Sequence, residues 1–253
     1  MVGAILSLLA GLIVPALSKA QAKVQSAVCL NDLKQLQVAW ILYADDHDEK
    51  LAPNFSSVNA GKSEITPSWV AGWLTYDANP DNTNTCNLLG SDFGRVGGQI
   101  NTPRVYRCPG DKSRARFATA WLPRVRSYSM NCYVGQSGMV PGPEAQVLLR
   151  TTDFVDLPPA RTWVFIEEHE DSIDDGSFLM SRPDRNPRLV WHDLPASRHN
   201  GAANLTFADG HIEMKKWLDA RTRKPVERYK FAYAASLGNR DCAWLLERTT
   251  APR

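Results

Sequence analysis

Hydrophobic residues run without a charge from Met1 to Ser18, the stretch MVGAILSLLAGLIVPALS, and Lys19 is the first charged residue. At about 1.5 Å per residue, a helix of this length measures about 27 Å, enough to cross most of a ~30 Å hydrocarbon core. The pattern then changes. In SKAQAKVQSAVCLNDLKQLQVAWILYADD, helix formers dominate and Gly and Pro are absent, while Leu30, Leu33, Leu36, Trp40 and Tyr43 recur every three or four residues. That spacing draws one apolar face on a helix. Together the two patterns predict a single helix over residues 1–46, apolar all round in its first half and striped in its second. Pro15, which lacks an amide donor, predicts a kink. The stripe predicts packing of the helix on its own head, residues 47–253.

The head alternates short patterned runs with loops. DDHDEKLAPN reads as a turn, and the region from Ser68 to Ser113 is rich in Gly, Pro, Asn and Asp, so short elements and long connections are expected. TWVFIEE (162–168), compact in β-branched and aromatic residues, reads as a buried strand; RSYSMN (126–131) and SFLM (177–180) are further strand candidates. In residues 202–217, Leu205 and Phe207, then Ile212 and Met214, alternate with polar neighbours around Asp209-Gly210. This pattern predicts a hairpin with a two-residue type I′ turn, whose central residues both need positive φ. Trp69, Trp73 and Trp121 read as core rather than as a surface platform. The predicted fold class is α+β, a long N-terminal helix packed on an antiparallel sheet with this hairpin central to it.

Charge changes the picture only locally. The chain has 29 basic and 27 acidic residues, a net charge of +2, so no global field points to nucleic acid or to an acidic partner. Six carboxylates fall within EEHEDSIDD (167–175), and seven Lys or Arg within KKWLDARTRKPVERYK (215–230). The basic run reads as a solvated or partner-facing surface. The acidic run reads as a solvated loop docking Arg182, Arg185 or Arg188; its alternative is a calcium loop with Asp171, Asp174 and Asp175 as oxygen ligands, calcium being the only cofactor the chain points to.

The five cysteines contain no C-x-x-C pair, which argues against a zinc ribbon or a thioredoxin-type site. A disulfide could form in an oxidising compartment, the odd count leaves at least one thiol over, and the spacing does not choose the pairing. No H-E-x-x-H, G-x-S-x-G, P-loop or dinucleotide motif occurs, so no enzyme is expected. His199 lies outside the hairpin's own logic, beside Asn200-Gly201. Its imidazole is expected to bond a backbone carbonyl or the Asp209 carboxylate, with a metal or ligand role as the alternative.

LLAGLIVPALSKAQAKVQSAVCLNDLKQLQVAWILYADDHDEKLAPN resembles the N-terminal helix of type II secretion pseudopilins and type IV pilin-like proteins, in the form that carries a prepilin-type processing-associated H-X9-DG domain. YRCPGDKS, RSYSMN, WVFIEEHEDSIDDGSFLM and LPASRHNGAANLTFADGHIEMKKW are similar to successive segments of that family. The resemblance covers most of the chain except roughly the C-terminal 30 residues. It implies a pilin-like fold, with His199, Asp209 and Gly210 as the H-X9-DG motif in a structural role. Ile5, Leu8, Leu9, Leu12 and Pro15 would lie on the assembly helix.

The family's processing signal, Gly followed by Phe-Thr-Leu-Ile-Glu, is absent, and the alignment set by Pro15 places it just ahead of Met1. The implied partners are other pilin-like subunits, an inner-membrane assembly machinery and membrane lipid, with no nucleic acid. The implied location is the inner membrane, single-pass, with the head in the periplasm or outside the cell. By charge alone, Lys19 and Lys23 would place their end of the span in the cytoplasm. Cleavage near Ala20 or Ala22, as in a secretory leader, is the lesser reading, since no basic residue precedes the apolar run.

Two other functions compete with a structural subunit. One is a tethered module that binds a carbohydrate or a calcium-dependent ligand through the Trp-rich and acidic loops, without polymerising. The other is a metal-dependent hydrolase built on His169, His192, His199 and His211, which no ligand spacing supports.

Overall fold

A computed structural model describes residues 2–90, 94–135, 145–180, 190–229 and 234–251, with the backbone alone over residues 2–22. Helix α1 (Val2–Asp45) is continuous through Pro15. It stops where Asp48 and Glu49 take left-handed backbone angles, with the Glu49 N–H donating to the Ala44 carbonyl at 2.9 Å. The predicted stripe is real: Cys29, Leu33, Leu36, Trp40 and Ala44 are buried, while Leu30 and Tyr43 flank it half-buried. This half of α1 shares one core with Trp69, Tyr106, Tyr128, Met130, Val164 and Phe165 of the head. Asp32 and Gln37 are buried on the same face, which a purely apolar stripe does not anticipate. Among the described residues no helix is long and apolar enough to cross a membrane. The side chains of Ile5, Leu8, Leu9, Leu12 and Pro15 lie outside the described set.

Among the described residues nine strands follow: β1 (Arg114–Phe117), β2 (Ala120–Pro123), β3 (Tyr128–Asn131), β4 (Trp163–Glu167), β5 (Ser177–Phe178), β6 (Val190–Trp191), β7 (Ala202–Phe207), β8 (Ile212–Lys216) and β9 (Ala234–Ala235). The central sheet has the order β5-β3-β4-β7-β8, flanked by the small pairs β1-β2 and β6-β9. The three expected strand segments thus all pair in one sheet, and the architecture is α+β. The sheet is not purely antiparallel, however. β5 runs parallel to β3, with Met130 opposite Ser177 and Asn131 opposite Phe178, because the acidic segment leaving β4 carries the chain across to the far side of β3.

Both faces of this sheet are covered. Ala203, Leu205 and Phe207 join Trp163, Ile166 and Trp217 in a second core, closed by Cys242, Leu245 and Leu246 of α2 (Arg240–Leu246). Side chains alternate along a strand, so Asn204 and Thr206 point the other way, beneath α1, where the Thr206 hydroxyl donates to Gln37 Oε1 at 2.6 Å. At the sheet's edge, Ile212 is half-buried and Met214 exposed. Glu213, Lys215 and Lys216 line this last strand, the charged dressing that discourages edge-to-edge pairing.

The turn between β7 and β8 differs from the expected type I′. Only Gly210 has positive φ, at +91°; Asp209 does not. The Gly210 N–H donates to the Phe207 carbonyl and the Phe207 N–H to the His211 carbonyl, both at 2.9 Å. This is a three-residue loop, a type I turn followed by a left-handed glycine. Asp209 has its own reason to stay out of the left-handed region: its carboxylate accepts from the His211 N–H at 3.1 Å and meets His211 Nδ1 at 2.6 Å. Gly135, at φ +65°, also tolerates no side chain, because a Cβ there would collide with the Ala52 carbonyl.

Candidate functional site

Four segments distant in sequence meet where α1 enters the head. α1 contributes Cys29, the CPGD turn contributes Cys108, the C-terminal end of β4 contributes Glu167, and the turn before β7 contributes His199. Each is set by local backbone chemistry. The Asp111 N–H donates to the Cys108 carbonyl at 3.0 Å and the Gly110 N–H to Cys108 Sγ at 3.3 Å, which folds the CPGD turn around the sulfur. Asn200 and Gly201 take positive φ, and the His199 N–H closes onto the Ala202 carbonyl at 3.2 Å, turning the imidazole inward.

Cys29 and Cys108 form a disulfide. His199 Nε2 lies 2.9 Å from Glu167 Oε1 and 3.5 Å from Cys108 Sγ, and Glu167 Oε2 accepts the Asn204 N–H at 2.7 Å. The ligand-capable atoms of all four residues lie within 4.8 Å of one another, and all four residues are buried. Among the described residues no other set of three or more His, Cys, Asp or Glu atoms converges in this way.

Buried charge surrounds the centre. Arg198 Nε donates to Glu170 Oε1 at 2.8 Å, and its Nη2 donates to the Glu168 carbonyl and lies 3.9 Å from Asp111 Oδ2. Burial alone would lower the Arg198 pKa, but Glu170, Asp111 and Glu167 outweigh it and the group is held above its ordinary value. Burial alone would raise Asp111; Arg198, Arg124 and hydrogen bonds from Ser127 and Ser113 outweigh it and hold that carboxyl below the usual range.

The H-X9-DG motif is therefore two sites rather than one. β7 separates His199 from Asp209, and six strand residues span about 20 Å. The expected contact between them is not made: His199 pairs with Glu167, while Asp209 pairs with the exposed His211, whose ring stacks on Phe207 at 4.2 Å between centroids. The spacing has a structural meaning all the same. α1 is tied at Cys29 near the His199 end of β7, and Ile41 Cδ1 lies against the Gly210 turn at the other end. Twelve helical residues rise about 18 Å, which matches the length of β7. The motif marks the two ends of the strand along which α1 is docked.

The acidic run corrects a second expectation. It is not a solvated loop: Glu167 to Ser172 and Asp175 are buried. The cations that meet it are Arg124, whose guanidinium donates to the Glu170 carbonyl at 2.6 Å, together with Arg126 and Arg198. Arg182, Arg185 and Arg188 lie outside the described residues. Asp171, Asp174 and Asp175 do not converge as calcium ligands would. Asp171 accepts from Tyr76 Oη at 2.7 Å and from the Glu227 and Arg228 N–H groups, Asp174 Oδ1 accepts from the Asp175 N–H, and Asp175 is held by Ser56 Oγ and the Ser177 N–H.

The four histidines of the hydrolase reading are likewise dispersed. His169 lies against the Lys224 carbonyl at 3.1 Å, His211 is on the surface, and only His199 belongs to the converging group. Trp69 is core, as expected, whereas Trp121 is exposed. Trp73, Tyr76 and Trp121 line a cleft of about 430 Å³ together with Asp171 and Asp174.

Sequence reasoning singled out His199 but missed its partners Glu167, Cys29 and Cys108. No fixed spacing links them; the only sequence signals are a cysteine inside the helical stripe and another in a Cys-Pro-Gly turn. Comparison of the chain with family models, with characterised proteins and with solved structures finds no match.

Proposed function

We propose that the protein is a structural, pilin-like subunit of a secretion or pilus-like assembly, anchored in the membrane by the first half of α1 and carrying its head outside the cytoplasm. The observation that carries this reading is the division of labour along one helix. Val2–Asp45 is a single helix, its Cys29–Ala44 half is embedded in the head, and the uncharged run from Met1 to Ser18 precedes the embedded half. A uniformly apolar helix is stable in lipid before assembly and can afterwards pack against copies of itself. The disulfide at the junction joins the helix covalently to the head. The resemblance of several successive segments to pseudopilins supports the same reading.

The test is membrane association and self-association of the full chain. The wild-type chain should fractionate with membranes and cross-link to further copies or to pilin-like partners. Replacing Leu8, Leu9 and Leu12 together by asparagine should abolish both while leaving the thermal unfolding of the head unchanged. A wild-type chain that stays in the aqueous fraction and forms no cross-linked species would refute the proposal.

A second reading, a tethered binding module, is favoured by one observation, the cleft lined by Trp73, Tyr76 and Trp121 together with Asp171 and Asp174. Aromatic side chains beside polar ones suit a saccharide, and the volume falls in the range of small-ligand sites. Titration with soluble oligosaccharides, followed by tryptophan fluorescence, should then give saturable binding that Trp121→Ala weakens at least tenfold. Binding unchanged by that substitution would remove the reading.

A further inference from the structure

The centre at the base of α1 combines two sulfurs, an imidazole nitrogen and a carboxylate oxygen, all buried and all within 4.8 Å of one another. We propose that when Cys29 and Cys108 are reduced, their thiolates, His199 Nε2 and Glu167 Oε1 hold one zinc ion, so that the disulfide and the metal are alternative fastenings of α1 to the head. This inference rests on the centre's geometry and stands apart from the reading of the protein as a pilin-like subunit.

Cys sulfur, His nitrogen and carboxylate oxygen are each zinc donors, and four of them fill a tetrahedral zinc. Around a tetrahedral zinc with Zn–S of about 2.3 Å and Zn–N of about 2.1 Å, a sulfur and a nitrogen lie about 3.6 Å apart. Cys108 Sγ and His199 Nε2 are 3.5 Å apart. Nε2 and Glu167 Oε1, at 2.9 Å, need to separate by only about 0.4 Å to fit the same polyhedron. The sulfurs must part to about 3.8 Å, which rotation about the two cysteine side chains supplies once the bond between them is gone.

The surroundings already hold the ligands in place. The Gly110 N–H points at Cys108 Sγ, and the Asn204 N–H occupies Glu167 Oε2, leaving Oε1 for the ion. Such outer contacts orient metal ligands and are part of a working site. A zinc ion with two thiolates and one carboxylate carries one net negative charge, and the buried Arg198 guanidinium, which interacts with Glu167, offsets it. All four ligands are buried, with no position left for substrate, so the ion would be structural.

The exchange balances. A dithiol reductant gives two electrons and two protons to the Cys29–Cys108 bond, forming two thiols and its own disulfide. Zinc then displaces two thiol protons and binds the neutral imidazole and the carboxylate. In the reverse direction, an oxidising disulfide takes two electrons from the two thiolates, the Cys29–Cys108 bond forms and zinc is released.

The experiment uses the full chain carrying Cys86→Ser, which removes the exposed thiol. It is reduced with a phosphine and dialysed without oxygen against zinc or cobalt. The expected result is one metal per chain by elemental analysis, with the tetrahedral cobalt–thiolate spectrum. The oxidised chain should take up none, and adding Cys29→Ser and Cys108→Ser should abolish uptake. Glu167→Gln, which keeps the side chain's shape, should weaken zinc binding at least tenfold. Failure of the reduced chain to take up metal, whether it stays folded or not, would overturn the proposal, as would equal uptake by the oxidised chain or by the double-serine variant.

Discussion

Replacing Cys29 and Cys108 together by serine should lower the stability of the oxidised protein by about 4.5 kcal/mol and its melting temperature by roughly 9 to 18 °C. The two cysteines are 79 residues apart, and closing a loop of that length in the unfolded chain costs an entropy worth about 4.5 kcal/mol at 25 °C. For a chain of this size, each kcal/mol moves the midpoint by about 2–4 °C.

The loss should not be spread evenly. Apart from the disulfide, α1 is held mainly by burial of Leu33, Leu36, Ala39 and Trp40 against the sheet and by the Gln37–Thr206 hydrogen bond, so the helix becomes the first element to detach. Hydrogen exchange of the amides between Cys29 and Ala44 should therefore accelerate more than that of β4 or β7. Calorimetry under oxidising, metal-free conditions supplies the magnitude. A midpoint shift below about 2 °C would mean that packing alone fastens the helix.

The head should lose on the order of a few kcal/mol of stability between pH 6 and pH 9. Burial raises Asp193 and, to about 6, Asp32, and it is the main cause of two further upward shifts: Glu168 rises from 4.5 to about 8, and Asp175 from 3.8 to about 7. Hydrogen bonds from Ser129 and Ser172 lower Glu168 only in part, while the neighbouring Asp174 raises both groups further. A carboxyl whose folded pKa is raised binds its proton more tightly in the native state. Its contribution is thus fully present below the unfolded value and is lost as pH climbs through about 7 to 8.

His169 and His192 act in the opposite sense. Burial pushes both below 6.5, so protonation below about pH 6 favours the unfolded chain and closes the window on the acid side. Urea unfolding at a series of pH values should trace this dome, and Glu168→Gln should flatten its alkaline limb. Stability that stays level or rises between pH 6 and 8.5 would show that Arg126 and the surrounding hydrogen bonds keep these carboxylates ionised at little cost.

Local patterns carried the secondary structure. The three- and four-residue spacing of Leu33, Leu36 and Trp40 specifies the docked face of α1. The β-branched run at 163–167 specifies a buried strand, and the alternation around Asp209-Gly210 specifies a hairpin. Each is a property of neighbours in the chain, so each can be read without knowing what lies opposite. Gly210 at φ +91° was legible for the same reason, although the Asp209 carboxylate, by capping the His211 N–H, selected a three-residue turn over the expected one.

What only the tertiary structure decided is the meeting of Cys29, Cys108, Glu167 and His199. They come from four segments with no recurring interval, and a polar residue carries no local mark of the partner that will satisfy it. The same cause explains Asn204 and Thr206, polar positions of an alternating strand that are buried because α1 covers them. It also explains the acidic run, which looks solvated by composition and is instead buried against arginines 46 to 48 residues earlier in the chain and 28 to 30 later. Periodicity determines which face of an element is apolar; only the packing of distant segments determines which polar groups are carried inside and whom they meet there.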